Sequence, residues 1–310
     1  MDRADTIHGS MELTDDPEDL ICRSLKLTGE WSFTEVRIFA SLVSEQDYVW
    51  DAGAFIGTFS LGVRQLSGAR VLAIEPDRQS VELLRKNLKA NARGGYDVVD
   101  KAIGSHEGVV RAVSLGLEHN RGAQRFESVE VPAENDAVVS CTTLRCLRSK
   151  FGDYTALKLD IEGSEFDALR ADARFIRQAK PILWAECNET SRVKELLGLF
   201  LWAELSPIYV AFPAFRRANY RGTPNQIYPI AYEAAIVGGP SNRFSDLPET
   251  LGGEEIIIRP LASFQDLKRA MWDTPRWGME EWATMPRPQL IARLGRVYCG
   301  ERFADFLGDS

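Results

Sequence analysis

The residues best suited to chemistry begin with Asp51, Gly53 and Gly57 in the stretch Tyr48-Val49-Trp50-Asp51-Ala52-Gly53-Ala54-Phe55-Ile56-Gly57, and continue with Glu75-Pro76. Gly53 and Gly57 let a backbone approach a ligand closely, and a helix starting near Gly57 presents free N–H groups. Glu75 follows Gly53 by about 20 residues, the spacing at which a carboxylate on a second strand's end can accept hydrogen bonds from both hydroxyls of a ribose. The combination points to a nucleoside cofactor. It is a poor match to a dinucleotide site: in the G-x-G-x-x-G register Asp51 stands first and Ile56 last, with Gly57 one residue late. A carboxylate there opposes a pyrophosphate and suits a ligand carrying an amine and a sulfonium charge. The bland alternative is a tight strand-helix turn in a noncatalytic sheet protein, which Glu75 in register disfavours.

A second group lies at Lys158-Leu159-Asp160-Ile161-Glu162-Gly163-Ser164-Glu165. Lys158 and Asp160 share one strand face by twofold alternation. Asp160 ends one strand and Glu186 the next, so both should open on one crevice, with Glu162 and Asn188 nearby. Transfer of a group to a hydroxyl needs the oxygen held in line and its proton removable. Asp160 could orient or deprotonate it, while Lys158 holds charge or tunes that carboxylate. Alternatively Lys158, Glu162 and Glu165 cap the following helix and pair with one another, each acid in its first turn contributing about 0.3 to 1 kcal/mol. Oxygen ligands at Asp160, Glu186 and Asn188 would also suit a divalent cation such as Mg2+. His106 and His119 are too far apart for a joint site, and Cys187 has no activating partner and reads as core filling. Trp31, Tyr209, Phe212, Phe215 and Tyr220 could line or cover an acceptor pocket. Arg216, Arg217 and Arg221 could meet an acidic acceptor or simply form an exposed basic loop over Phe215.

These residues need elements to hold them. The acidic opening to about Asp19 reads as loosely packed. Phe33, Val36, Phe39 and Val43 then fall on one face of a helix. Strands are expected at Tyr48–Trp50, Arg70–Ile74, Tyr96–Val99, Ala156–Ile161 and Pro181–Ala185, with helices carrying Phe59, Val63 and Leu66, then Val81, Leu84 and Leu88, then Phe166 and Leu169, then Val193, Leu196 and Leu197. Val109 to Leu115 and Phe126 to Val131 bracket the polar loop Glu118 to Gln124 as a hairpin beside the sheet. Ser206–Phe212 and Tyr228–Val237 supply last strands around the loop Arg216 to Asn225. Glu254–Ile258 is strand-like, and helices follow over Phe264–Met271 and Pro288–Tyr298. The tryptophan-rich stretch Trp272 to Trp282 reads as an extension on the core. Repeated strand and helix units favour a mostly parallel sheet covered by helices.

Composition fits this reading. The chain has 310 residues, 45% of them apolar and 26% charged, and a formal net charge of -8. General attraction to nucleic acid or anionic lipid is thereby disfavoured. Five scattered cysteines without a C-x-x-C pair and three histidines support neither a disulfide framework nor a structural zinc site, and favour a reducing, cytoplasmic setting. No signal peptide and no membrane span is read from the sequence.

VWDAGAFIGTFS, LAIEPD, KAIGS, LKLDIEGSE and ILWAECNE, in that order, resemble the FkbM family of S-adenosylmethionine-dependent O-methyltransferases over roughly Gly29 to Val237. The resemblance implies a class I methyltransferase, Rossmann-like α/β fold with a mostly parallel seven-stranded sheet and helices on both faces. Residues 31–237 would form the methyltransferase domain, after an N-terminal extension over 1–30 and before a largely helical C-terminal extension over 238–310. It also implies S-adenosylmethionine as cofactor, with Asp51 and Gly53 by its methionine portion, Glu75 at its ribose, and Phe55, Gly57 and Pro76 also in the cofactor site. Lys101 to Ser105 would lie near adenine, with Ala102 and Ser105 in contact and Asp100 an alternative to Ser105. Lys158, Asp160 and Glu162 would be catalytic, Asp160 also touching the cofactor. The acceptor would be a hydroxyl of a small molecule, sugar or glycan, and self-association into a homo-oligomer is left open. N-methylation, an interaction protein that keeps the fold without turnover, and an NAD-dependent oxidoreductase are the other readings.

Overall fold

The structure, a computed structural model, describes residues 2–113, 125–128, 138–187, 192–225, 232–244, 247, 250–251 and 254–274. The opening departs from the loosely packed expectation. β1 (Arg3–Thr6) and β2 (Gly9–Glu12) form an antiparallel hairpin, followed by α1 (Leu20–Leu27), whose N-cap Asp19 accepts from Cys22 N. Met11, Leu13 and Leu25 are buried. Few as they are, these apolar side chains all point inward, and that offsets the acidic composition around them.

α2 (Phe33–Leu42) buries Phe33, Val36 and Phe39 as their spacing predicts. β3 (Tyr48–Ala52), α3 (Thr58–Ser67), β4 (Arg70–Ile74), α4 (Arg78–Asn91) and β5 (Tyr96–Val99) follow in alternation. A side sheet is then built from β6 (Ala102–Ile103), β7 (Gly108–Val113), β8 (Arg125–Ser128) and β9 (Val138–Thr142), in the order β6-β9-β7-β8. It contains the expected hairpin, β7 antiparallel to β8, while the loop Glu118 to Gln124 lies outside the described residues.

The alternation resumes with α5 (Leu144–Phe151), β10 (Ala156–Leu159), α6 (Glu165–Ala171), α7 (Ala173–Ala179), β11 (Ile182–Glu186) and α8 (Arg192–Trp202). β12 (Ile208–Pro213) and β13 (Tyr232–Gly238) come next, then the short β14 (Thr250–Leu251) and β15 (Glu254–Glu255), β16 (Ile257–Pro260) and α9 (Phe264–Trp272). The expected helix Pro288–Tyr298 and the stretch beyond Thr274 lie outside the described residues.

The main sheet has eight strands in the order β16-β12-β13-β11-β10-β3-β4-β5. It is parallel from β11 through β5, but β11–β13, β13–β12 and β12–β16 pair antiparallel. A mixed sheet thus replaces the expected mostly parallel, seven-stranded one. Parallel neighbours need a long crossover, usually a helix. No helix stands among the described residues between β12 and β13, and β16 adds an edge strand from beyond Gly238.

Both faces of the parallel part are covered. Trp50, Leu72, Leu157 and Leu183 pack on one side, and Val49, Val71, Ala156 and Trp184 on the side of α2 and α3. Burial on two faces is why these strands read as near-continuous apolar runs.

Candidate active site

The crevice forms where β3, β4, β10 and β11 end. Asp51 and Lys158 are register partners on adjacent strands, and alternation puts them on the face of Val49 and Ala156, under α2 and α3. Lys158 is 4% exposed. Its Nζ donates to Asp160 Oδ2 at 2.9 Å and stands 5.0 Å from the Phe59 ring centroid. Burial alone would lower its pKa, but the charges of Asp160, Glu35 and Asp51 outweigh burial and hold the ammonium protonated. Asp51 is fully buried: Ser60 Oγ donates to its Oδ2 at 2.6 Å, and its Oδ1 has no partner among the described residues. Burial raises its pKa against the pull of Lys158 and Ser60.

The turn after β3 is left-handed at Gly53 (φ +89°), Phe55 (φ +46°) and Gly57 (φ +97°). Gly53 N and Ala54 N both donate to Ile74 O, at 3.0 and 3.1 Å, which folds the turn across the end of β4. α3 has Gly57 as N-cap and no side-chain cap, and the Asp51 carboxylate meets the backbone of Ser60 in its first turn. Glu75, at the end of β4, is 7% exposed. It accepts Phe55 N at Oε2 and Asp77 N at Oε1, each at 2.8 Å. Burial pushes its pKa up to about 7 despite those two bonds. Pro76 keeps Glu75 extended, and Asp77 caps α4 by accepting Ser80 N. Asp51, Gly53, Phe55, Gly57 and Glu75 thus share one loop system.

The stretch beyond β5 carries the residues expected on the adenine side. Ala102 and Ile103 pair with Cys141 and Thr142 in the side sheet, and the Ala102 side chain packs with Val110 and Cys141. Ser105 is exposed with its Oγ 3.1 Å from His106 Nδ1, and Asp100 is exposed, 3.9 Å from Arg85.

On the other side, Asp160, Glu162 and Glu186 bring carboxylate oxygens within 4.8 Å of one another. Glu162 sits at φ +53°, and its pKa rises to about 8 through burial and then through Asp160 and Glu165. Glu186 is raised well above the ordinary range by burial, Asp160 and Glu162. Glu165 has a shaping role: its Oε1 accepts Ile161 N and Gly163 N at 3.0 and 3.1 Å, closing the turn that presents Glu162. Asn188 lies outside the described residues.

Two acids escaped the sequence reading. Glu35 falls off the apolar line of α2, yet it is buried within reach of the charges of Lys158, Asp160, Glu233 and Asp51. Burial pushes its pKa to about 7. Glu233, on β13, adds its charge to Glu35, Glu162 and Glu186. Neither position carries a motif, so only the packing of α2 and β13 reveals them.

The proposed pocket aromatics and arginines are largely otherwise engaged. Tyr209 and Phe212 are fully buried in the two main cores, and Phe215 packs edge-on against Trp31 at 5.7 Å. Arg216 forms a two-pronged pair with Glu30, at 2.6 and 2.5 Å, and Arg221 donates to Asp5 O at 2.8 Å. Reading an acidic acceptor is therefore not the work of Arg216. Cys187 is buried against Met271, as core filling requires. No helix among the described residues is long and apolar enough to cross a membrane.

The model of the methyltransferase FkbM domain matches residues 51–219, more than half of the chain. No relative among curated proteins matches. Among solved structures, the chain is similar to methyltransferase FkbM from Methylobacillus flagellatus KT, at 19% identity over 64% of this chain and 47% of that one, with a TM-score of 0.40. It therefore spans less than half of that protein's length. It is also similar to precorrin-6y C5,15-methyltransferase from Geobacter metallireducens GS-15, at 12% identity over 73% and 96% of the two chains (TM-score 0.41), and to a SAM-dependent O-methyltransferase from Thermotoga maritima, at 14% identity over 66% and 64% (TM-score 0.35). Likeness at this level says nothing of substrate. The family match spans the turn at Gly53, the carboxylate at Glu75 and the Lys158–Asp160 pair, and the chain accordingly belongs to the FkbM family of S-adenosylmethionine-dependent methyltransferases.

Proposed function

We propose that the protein transfers a methyl group to a hydroxyl oxygen of a small molecule, sugar or glycan. The observation that carries this reading is the Lys158–Asp160 pair beside the Gly53 turn, its ammonium buried and its carboxylate partly exposed, since it sets a proton-accepting carboxylate next to the cofactor loop. Bound S-adenosylmethionine supplies an electrophilic methyl on its sulfonium. The residues present fit it. Glu75 keeps lone pairs on both oxygens for ribose hydroxyls after accepting Phe55 N and Asp77 N. Gly53 lets the turn pass left-handed and close against the Asp160 backbone, and Asp51 Oδ1, without a hydrogen-bond partner among the described residues, offers an acceptor for an amine. Adenine would meet the backbone of Ala102 and the exposed Ser105.

At the acceptor, Asp160 orients the hydroxyl and takes its proton, Lys158 holds that carboxylate in place by donating to its Oδ2, and Glu162 flanks it. Titration with S-adenosylmethionine and with NAD, followed by a methyl-transfer screen of hydroxyl-bearing acceptors, is the test. Binding of NAD alone, or transfer only to amines, would overturn the reading.

The oxygen-only set Asp160, Glu162 and Glu186 also fits a divalent cation such as Mg2+, which would offset their crowded charge. Chelation with EDTA tests it: activity lost and then restored by Mg2+ assigns the cation. Activity unchanged leaves the carboxylates to the acceptor.

A further inference from the structure

The residues ahead of the family match fold onto the cofactor loop through one side chain. Asn87 of α4 is 1% exposed. Its Oδ1 accepts Glu12 N at 2.7 Å, and its Nδ2 donates at 3.0 Å both to Glu12 O and to Ile56 O. The carboxamide thereby bridges the edge of β2 to the turn that follows Asp51. Around this bridge, Met11, Leu13, Cys22 and Leu25 form one buried cluster with Ala54, Phe55 and Ile56. Arg3 and Lys86 grip the Glu12 carboxylate from either side, at 2.7 and 3.2 Å.

Phe55 holds a left-handed conformation that side chains other than glycine resist, so surrounding contacts have to fix it. The hairpin and α1 share the buried cluster that holds Phe55 with residues of α3, β4 and α4. The result is the Phe55 N–H aimed at Glu75 Oε2. We infer that residues 2–27 are a working part of the cofactor site and that Asn87 is a positioning residue for it: the hairpin and α1 hold Phe55 and Ile56 in place, and the loop sets Glu75 before the cofactor arrives. Preset geometry raises affinity because less ordering remains to be done on binding. The inference rests on the S-adenosylmethionine reading above.

The test uses the full chain with Asn87→Ala, Met11→Ala and, as a control of comparable core loss remote from the loop, Leu267→Ala. Affinity for S-adenosylmethionine and S-adenosylhomocysteine is measured by calorimetry at a temperature where urea titration shows each variant folded. Amide hydrogen exchange at residues 53–57 is followed in the ligand-free protein. Asn87→Ala and Met11→Ala should weaken binding about tenfold or more and speed exchange in the loop, with Leu267→Ala unchanged in both. Should Asn87→Ala fail to fold, Met11→Ala decides. Wild-type affinity in the folded variants, or an equal loss in the control, would overturn the inference. A wild-type protein that does not bind S-adenosylmethionine would overturn the parent reading and the inference with it, and that outcome is visible before any variant is compared.

Discussion

The backbone oxygen of Asp160 lies 1.9 Å from where a Cβ on Gly53 would stand. The cofactor turn and the acceptor turn therefore meet through a glycine, and neither can shift without moving the other. Gly53 is also at φ +89°, where any side chain is strained. Gly53→Ala should abolish S-adenosylmethionine binding and lower stability by at least about 2 kcal/mol, the overpacking and left-handed strain acting together. Calorimetric titration and urea unfolding check both parts, and tight binding by this variant would contradict the contact.

Glu75 makes cofactor affinity depend on pH. Its carboxyl is raised from 4.5 to about 7 in the ligand-free fold, so at pH 6 most molecules carry the protonated form. Ribose hydroxyls donate best to the ionised form, so affinity should rise from pH 6 to pH 8 with a midpoint near 7. Glu75→Gln should weaken binding and flatten that component of the profile. A wild-type profile level across this window would remove Glu75 from the ribose role.

Glu162 makes the stability of the ligand-free protein fall as pH rises. Its folded pKa of about 8 exceeds the ordinary carboxyl value, so between about pH 4.5 and 8 the folded state binds more protons than the unfolded one. Its favourable contribution is full below the lower value and is lost on passing the upper. Glu162→Gln should therefore flatten the decline between pH 6 and 9, measured as urea midpoints. An unchanged slope would count against the crowding of Glu162 with Asp160 and Glu186.

How much of this was legible in the sequence depends on where each signal lives. The Asp51–Gly57 turn and Glu75 could be read because turn chemistry and strand spacing are local, and Lys158 and Asp160 because strand alternation is strict. The mixed sheet could not be read, since strand-helix rhythm says nothing of a return from β12 to β13 without a helix. Glu35 was not singled out because helical periodicity reports which face is apolar. It cannot tell whether the opposite face meets solvent or a crevice. Arg216 looked like a substrate reader because its partner, Glu30, stands far away in sequence, and only the packing of Phe215 on Trp31 brings them together.

Glu30 and Arg216 set a stability prediction. Their side chains are 4% and 11% exposed, and Glu30 Oε2 also accepts Tyr220 N at 2.9 Å. Removing one member leaves the other charge buried with no counterpart of similar geometry. Arg216→Met should cost about 3 kcal/mol or more in urea unfolding. The double variant Glu30→Gln with Arg216→Met should recover part of that loss, because no lone charge is left behind. A single variant as stable as wild type would mean that this pair does not anchor the loop after β12 to the segment leading into α2.

Asp160 separates transfer from cofactor binding. Its side chain pairs with Lys158, whereas the contact with Gly53 is made by its backbone, which substitution leaves in place. Asp160→Asn keeps the shape of the turn and removes the proton acceptor, so transfer to a verified hydroxyl acceptor should fall about a hundredfold or more, the usual range for a general base. S-adenosylmethionine affinity should change by less than about threefold, since the ribose and methionine contacts assigned to Glu75 and Asp51 persist. Asn in place of Asp also leaves Lys158 with Glu35 and Asp51 as its remaining counter-charges, so the ammonium stays protonated and the variant tests the carboxylate alone. Unchanged turnover would shift the proton-accepting role to one of the carboxylates gathered around it, with Glu35 and Glu162 the next positions to substitute.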